Sequence, residues 1–140
     1  MKLNLPYSPI PENASKIAAF IVEQVQENMN IHLDYSAESL GIMDTIIENI
    51  RQRELTLETV GSDLFCFGCY VGEVFLRAER GQWRSTAETK VAALSAMPLV
   101  IEMVNGGIGN PIGKVFKCYE NGMVDSLAYY YEAFSKRNKN

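Results

Sequence analysis

Two cysteines three residues apart, Cys66 and Cys69, have a spacing that could support redox chemistry. Such a pair is reactive when the first thiol lies at a helix N-terminus, where the helix dipole lowers its pKa. Here Cys66 comes ten residues after Thr56, the residue predicted to cap the helix, and the effect of the dipole fades within the first turn. We therefore expect two buried thiols that act as small hydrophobic residues.

A metal site is the alternative interpretation of the cysteines. Cys66 and Cys69 together with Cys118 and the single histidine, His32, would supply four ligands for zinc. The set lacks the second closely spaced pair that is typical of zinc sites. We expect no metal and no cofactor, and keep a cysteine-based metal or redox protein as an alternative.

Glu73 is the one charged residue in a long apolar stretch. Burying a carboxylate costs several kcal/mol unless it is paired or protonated. Arg77 follows one helical turn later, in the acid-before-base order that favours an ion pair, and Lys114 and Lys117 are further potential partners. Two hypotheses stay open, a buried ion pair that ties the helix to its neighbours and a carboxylate in a binding cleft.

Glycines and a tryptophan lie near Glu73 in the sequence. Gly61, Gly68 and Gly72 recur at spacings of seven and four, which places them near one helix face. Glycine within a helix costs about 0.5 to 1 kcal/mol relative to alanine, so we expect another element, or a ligand, to approach the backbone closely. Trp83 is expected to anchor a strand on the same helix, with a recognition surface as the alternative.

The segment NGGIGNPIGK, residues 105–114, combines glycines with a lysine. Asn110 followed by proline is typical of an N-cap and the first residue of a helix, a place where anions can bind. The Walker spacing fails, because Val115 stands where a hydroxyl is required. Asn110, Lys114 and Lys117 are therefore candidates for a binding surface.

A single domain of 140 residues is predicted to position these candidates. Apolar residues recur at helical spacing in five segments. The first and third helices are expected at 13–29 and 57–79. The second is expected to run from its cap Ser36 to Gln52, and the fourth from its cap Asn110 to Gly122. The fifth is expected to begin at its cap Asp125. The third helix is apolar almost all round and is expected at the centre of the domain.

The chain after Gly81 changes to a strand-like pattern. Strands are expected at about 82–86 and 98–104, and the segment 87–97 is ambiguous between helix and strand. Two strands would be marginal, so a third partner is expected from 31–33 or 91–95. The predicted fold class is α+β: a central apolar helix, flanking helices and a small antiparallel sheet after Trp83.

The ends of the chain and its charge limit the classes of partner. Residues 1–11 contain three prolines and are expected to form an extended lead-in, and 136–140 a frayed tail. Thirteen basic and seventeen acidic residues, a net charge of −4, argue against nucleic-acid binding. No apolar stretch has the length of a signal-peptide core or a membrane span. We therefore expect a cytoplasmic protein without nucleic-acid or membrane partners.

Three blocks of the sequence carry a resemblance. They are LDYSAESLGIMDTII (33–47), GCYVGEVFLRAERGQW (68–83) and NPIGKVFKCYENGMVDSLAYYY (110–131). In this order they resemble a family of small bacterial proteins of unknown function. The resemblance implies a compact α+β domain and no particular activity, and the Cys66-x-x-Cys69 pair is not part of its pattern.

The expected function is non-catalytic binding of a partner protein through a face near Glu73, Trp83 and residues 110–117. A toxin-neutralising immunity protein is one form of this hypothesis, since such proteins are often small, acidic and cytoplasmic. The alternative is a small-ligand binder or an enzyme that uses Glu73 with Lys114 or Arg77.

Overall fold

The computed structural model describes residues 2–139, and the side chains of residues 2–136. Within these residues the chain forms five α-helices and one three-stranded antiparallel sheet, which confirms the predicted α+β domain. The elements are α1 (Ala14–Met29), α2 (Ser39–Gln52), α3 (Leu57–Ala78), β1 (Gly81–Ser85), β2 (Leu99–Met103), β3 (Ile108–Gly109), α4 (Pro111–Asn121) and α5 (Leu127–Lys139). For the tail predicted at 136–140, residue 140 and the side chains of 137–139 are outside the described part of the chain.

Helix α3 lies at the centre of the domain, as its composition predicts. Every residue from Leu64 to Gly72 is buried, and α1 and α4 pack against the helix. By length and composition alone α3 could cross a membrane, but 78% of its most apolar window is buried inside the domain. Core helices of globular proteins share this property.

Two glycines of α3 permit the closest contacts in the core. A Cβ atom at Gly68 would lie 2.4 Å from Cα of Ile112 in α4, and one at Gly72 would lie 2.2 Å from Cζ2 of Trp83 in β1. Neither distance is possible for a real side chain. Close approach of neighbouring elements therefore explains why α3 contains glycine at these positions.

A buried carboxylate joins α2 to α5. Asp44 is 2% exposed, and its oxygens accept hydrogen bonds from Ser126 Oγ at 2.7 Å, Leu127 N at 2.7 Å and Ala128 N at 3.3 Å. The carboxylate thus satisfies the first free amides of α5 and faces the positive end of its dipole.

The predicted cap of α5 by Asp125 is wrong. Asp125 ends a short 3₁₀ turn (Gly122–Asp125) that precedes the helix, and its carboxylate is bonded to Lys114 and Asn121 of α4. Ser126, one residue later, is the N-cap: its Oγ accepts from Tyr129 N at 3.2 Å and donates to Asp44, which is distant in sequence.

The predicted cap Asn110 is confirmed, since it accepts a hydrogen bond from Gly113 N. Thr56 precedes α3 but makes no side-chain capping bond. Ser36 is not the residue before α2, which begins at Ser39, although Ser36 Oγ accepts from Ser39 N.

The sheet has the order β1-β2-β3, with Trp83 paired to Ile101 and Glu102 to Ile108. The third strand is Ile108–Gly109, so the prediction of a partner from 31–33 or 91–95 is wrong. A tight turn explains the difference, because Gly106 adopts a φ of +92° and Met103 N donates to Gly107 O at 2.7 Å. The chain therefore folds straight back onto β2.

The two segments that could have supplied that strand have other conformations. Residues 31–33 lie without regular structure in the connection between α1 and α2. The ambiguous segment 87–97 is neither helix nor strand: it follows from a 3₁₀ turn, Thr86–Glu88, into further turns before β2.

Candidate functional site

Five side chains from three parts of the fold meet around Glu73. Tyr70, Glu73 and Arg77 share one face of α3 because they are three and four residues apart. Trp83 reaches them from β1, and Tyr35 from the connection between α1 and α2. We refer to Tyr35, Tyr70, Glu73, Arg77 and Trp83 as the Glu73 cluster.

The Glu73 carboxylate has a partner for each oxygen. Oε2 accepts a hydrogen bond from Trp83 Nε1 at 3.0 Å, and Oε1 lies 3.9 Å from Arg77 Nη2. The Glu73 side chain is 12% exposed and that of Arg77 is 54% exposed. The ion pair predicted from the sequence is therefore present, but it is long and half in solvent, so its own contribution to stability is small.

Trp83 has the anchoring role expected of it. Its indole is buried against α3 at Gly72, and its one polar atom donates to Glu73. Burial of a large aromatic ring with its N–H satisfied stabilises the contact between β1 and α3. The side chain is therefore a support for the surface rather than part of the exposed surface itself.

Tyr35 is held in a strained backbone conformation. Its φ angle is +65°, a region that bulky residues rarely adopt. The Tyr35 amide donates to the Tyr70 hydroxyl at 2.8 Å, and that hydroxyl lies 2.6 Å from Ser39 Oγ. Ser39 Oγ donates its single proton to Ser36 O at 2.6 Å, so Tyr70 donates to Ser39 and accepts from Tyr35.

The Arg77 guanidinium stacks on the Tyr35 ring. Its Cζ lies 3.5 Å from the ring centroid, and the Tyr35 and Tyr70 rings are tilted with centroids 4.9 Å apart. A guanidinium over an aromatic face gains cation–π attraction and loses little of its hydration. The arrangement presents Arg77 to solvent in a fixed position, with Glu73 on one side and Tyr35 beneath it.

The tyrosines of the Glu73 cluster are hydroxyl donors at neutral pH. Burial raises the pKa of Tyr35 and of Tyr70 above the ordinary value, although the nearby Arg77 charge partly opposes this for both. Each phenol therefore stays protonated over the physiological range, and neither can serve as a general base.

Tyr70→Phe tests the hydrogen-bond chain that fixes Tyr35. The variant leaves the Tyr35 amide without its partner and removes a donor from the buried Ser39, so we expect a loss of about 2 kcal/mol in the free energy of unfolding. Urea denaturation measures the loss, and Tyr129→Phe, at an exposed tyrosine, is the matched control. Equal stability of the two variants would show that this chain of hydrogen bonds does not stabilise the connection between α1 and α2.

The structure gives a separate environment to each of the three other predicted binding residues, Asn110, Lys114 and Lys117. Asn110 caps α4 through Gly113 N at 3.0 Å and donates to Ser95 Oγ at 3.1 Å. Lys114 forms an ion pair with Asp125 and lies 5.7 Å from a tyrosine ring of α5, and Lys117 is exposed.

Lys114 therefore pairs with Asp125 rather than with Glu73. The reason is its position on α4, which directs the amine toward the 3₁₀ turn that ends in Asp125. The structure brings Glu73, Arg77 and Trp83 together, as predicted, and does not add Lys114 or Lys117 to them through any hydrogen bond or ion pair among the described residues.

The cysteines are buried free thiols. Burial raises the pKa of Cys66 and of Cys118 to about 12, and raises that of Cys69 further. His32 is exposed in the connection before α2. Among residues 2–139, no group of three or more histidine, cysteine, aspartate or glutamate side chains is placed to hold a metal ion, so the alternative zinc set is not assembled.

The thiols are expected to be inert in the folded protein. At about pH 8 an ordinary thiol is partly ionised and reacts with dithionitrobenzoate, whereas the raised pKa and burial keep these three protonated and covered. We expect no reaction before denaturant is added and three thiols per chain afterwards. Rapid modification of Cys66 in the native protein would contradict the burial of the pair.

Two members of the Glu73 cluster were not identified from the sequence. Tyr70 could have been found, because it lies three residues before Glu73 and seven before Arg77 on the same helix. Tyr35 gives no such signal, since nothing in the segment NIHLDYSAES indicates a left-handed tyrosine. The buried Asp44 was also missed, because its partners lie more than 70 residues later.

Comparison with known proteins does not assign this arrangement to a family. No protein-family model matches the chain, and no curated protein and no solved structure matches it significantly. The functional argument therefore depends on the geometry of the described residues.

Proposed function

We propose that this protein is a non-catalytic, cytoplasmic binding protein whose partner-binding surface is centred on Arg77 and Tyr35. The observation that carries the proposal is the strained Tyr35, whose ring is fixed beneath a half-exposed guanidinium. Backbone strain of this kind costs of the order of 1 to 3 kcal/mol and persists mainly at functional sites, where the surroundings enforce it. The resemblance of the three sequence blocks supports a bacterial origin.

A binding role suits the chemistry of the Glu73 cluster better than catalysis. Glu73 Oε2 holds the Trp83 indole by a hydrogen bond, and Oε1 faces the Arg77 guanidinium at 3.9 Å, so the carboxylate has a place in supporting the surface. Tyr35 and Tyr70 remain protonated because burial raises their pKa. These groups together supply directed donors and an aromatic surface, and those are the features of an interface.

The exposed part of the Glu73 cluster indicates the chemistry of its partner. Arginine and tyrosine are enriched among the residues that carry most of the energy of protein interfaces. Arg77 makes one long contact with Glu73 and retains donors in a planar fork that matches a carboxylate. We infer a protein partner that brings an aspartate or glutamate to Arg77. A toxin neutralised by this domain is one partner of that kind.

Affinity capture from the native host tests the proposal. The tagged protein is compared with Arg77→Glu, and with Arg80→Glu as a control that makes the same change of charge at another exposed arginine. We expect a stoichiometric partner with the wild type and with Arg80→Glu, and its loss with Arg77→Glu. Equal recovery with both variants would place the contact elsewhere, and turnover of a small molecule by the isolated domain would overturn the non-catalytic assignment.

A further inference from the structure

A second surface, separate in its residues from the Glu73 cluster, lies between the end of α1 and the outer face of α2. It is a groove of about 400 Å³, a volume within the range of small-molecule sites. We call it the α2 groove; its lining includes Met29, Ile31, Ile42, Ile46, Ile50 and Arg53. Met29 and Ile42 are 44% and 41% exposed, so the groove opens to solvent with apolar walls.

The apolar side chains of the α2 groove form one continuous stripe. Ile42, Ile46 and Ile50 are four residues apart and therefore follow one another along the same side of α2. Arg53 comes three residues after Ile50, where the helix ends. The result is an apolar track, bordered by Thr45 and Asn49, with a cation at one end.

The charge of the α2 groove differs from that of the molecule. The protein carries a net charge of −4, yet no carboxylate lines this groove. Three other surface grooves each contain at least one glutamate, namely Glu38 and Glu132 in one, Glu102 in the second, and Glu54 and Glu120 in the third.

Arg53 is available to an anionic ligand. Among the described residues its side chain takes part in no hydrogen bond or ion pair. A charged donor beside apolar walls selects a ligand that combines a carboxylate with a hydrocarbon chain, because the guanidinium pairs with the carboxylate and the walls bury the chain.

We propose that the α2 groove binds a straight-chain carboxylate, with the chain along the isoleucine stripe and the carboxylate at Arg53. Arg53 comes eleven positions after Ile42, a distance of about 16 Å along the helix axis, which matches an extended chain of about a dozen carbons. This site is additional to the protein-binding surface and does not depend on it.

Isothermal titration with dodecanoate, kept below the concentration at which it forms micelles, tests the site. We expect saturable binding of one dodecanoate per chain. Arg53→Gln should weaken dodecanoate about tenfold and leave the binding of dodecan-1-ol unchanged, since the alcohol lacks the charge. Ile42→Glu should weaken dodecanoate by at least about tenfold, because it places a carboxylate in the groove.

Leu94→Glu is the matched control, because it makes the same kind of change at an exposed leucine outside the α2 groove. It should bind dodecanoate as the wild type does, and so should Arg77→Glu, which alters only the protein-binding surface. Absence of saturable binding, equal affinity for dodecylamine, or binding unaffected by both Arg53→Gln and Ile42→Glu would overturn the proposal. Circular dichroism of each variant confirms that the fold is intact.

Discussion

Replacing Gly68 by alanine is expected to lower the free energy of unfolding by about 3 kcal/mol, at the upper end of the range for overpacked cores. The new Cβ would lie 2.4 Å from the Cα atom of Ile112. Because that atom belongs to the backbone of α4, no change of rotamer can relieve the contact, and α4 must move away from α3. The loss exceeds the gain of about 1 kcal/mol that alanine brings to a helix interior.

Gly41→Ala is the matched control for this effect. Gly41 also lies within a helix, but a Cβ there would meet nothing within 4 Å. Its replacement should leave stability unchanged or raise it by up to about 1 kcal/mol, since only helix propensity changes. Urea denaturation of both variants gives the comparison. Similar stabilities for Gly68→Ala and Gly41→Ala would show that α3 and α4 are not in close contact.

Asp44→Ala is expected to cost about 3 to 4 kcal/mol. The carboxylate is buried and accepts from Ser126, Leu127 and Ala128. Hydrogen bonds to a charged group contribute about 1.5 to 3 kcal/mol, and a buried amide left without a partner adds a further penalty. The loss should be concentrated at the start of α5, because that is where the unpaired donors lie.

Two further variants separate the causes of that loss. Asp44→Asn keeps the shape and one acceptor, so we expect an intermediate loss of about 1 to 3 kcal/mol. Glu23→Ala removes an exposed carboxylate from α1 and should change stability by less than about 0.5 kcal/mol. Amide hydrogen exchange should show early loss of protection in α5 for Asp44→Ala. An Asp44→Ala protein as stable as Glu23→Ala would contradict the role of this carboxylate.

The helices could be predicted from the sequence because their information is local. Apolar residues at helical spacing, Thr56 and Asn110 at helix starts, and glycine at 122 lie within a few residues of the structures they determine. The central position of α3 follows from its composition, since a helix without a polar face must be covered on several sides. The glycines at 68 and 72 likewise indicated close packing before any partner was known.

Features that depend on distant partners could not be predicted in this way. The support that Asp44 gives to the start of α5 is decided by how α2 packs. The third strand is a different case, because the tight turn that returns it to β2 is local in sequence. Lys114 could have met any carboxylate near α4, and only the fold selects Asp125.

The Glu73 cluster also combines a contact that the sequence predicts with contacts that it does not. The pairing of Glu73 with Arg77 follows from one helical turn of sequence. The hydrogen bond from Trp83 and the position of Tyr35 require knowledge of how β1 and the connection before α2 lie against α3. The residue that most strongly suggests function, Tyr35, is therefore the one that the sequence indicates least.

Isothermal titration of the purified partner against Arg77→Ala and Arg80→Ala tests the proposed binding surface most directly. Both variants remove an exposed arginine, and only Arg77 stacks on Tyr35. We predict that Arg77→Ala weakens the complex by at least about thirtyfold, as expected for a residue worth about 2 kcal/mol at an interface. Arg80→Ala should change the affinity by less than about twofold. Equal affinities for the wild type and Arg77→Ala would contradict the assignment of this surface to partner binding.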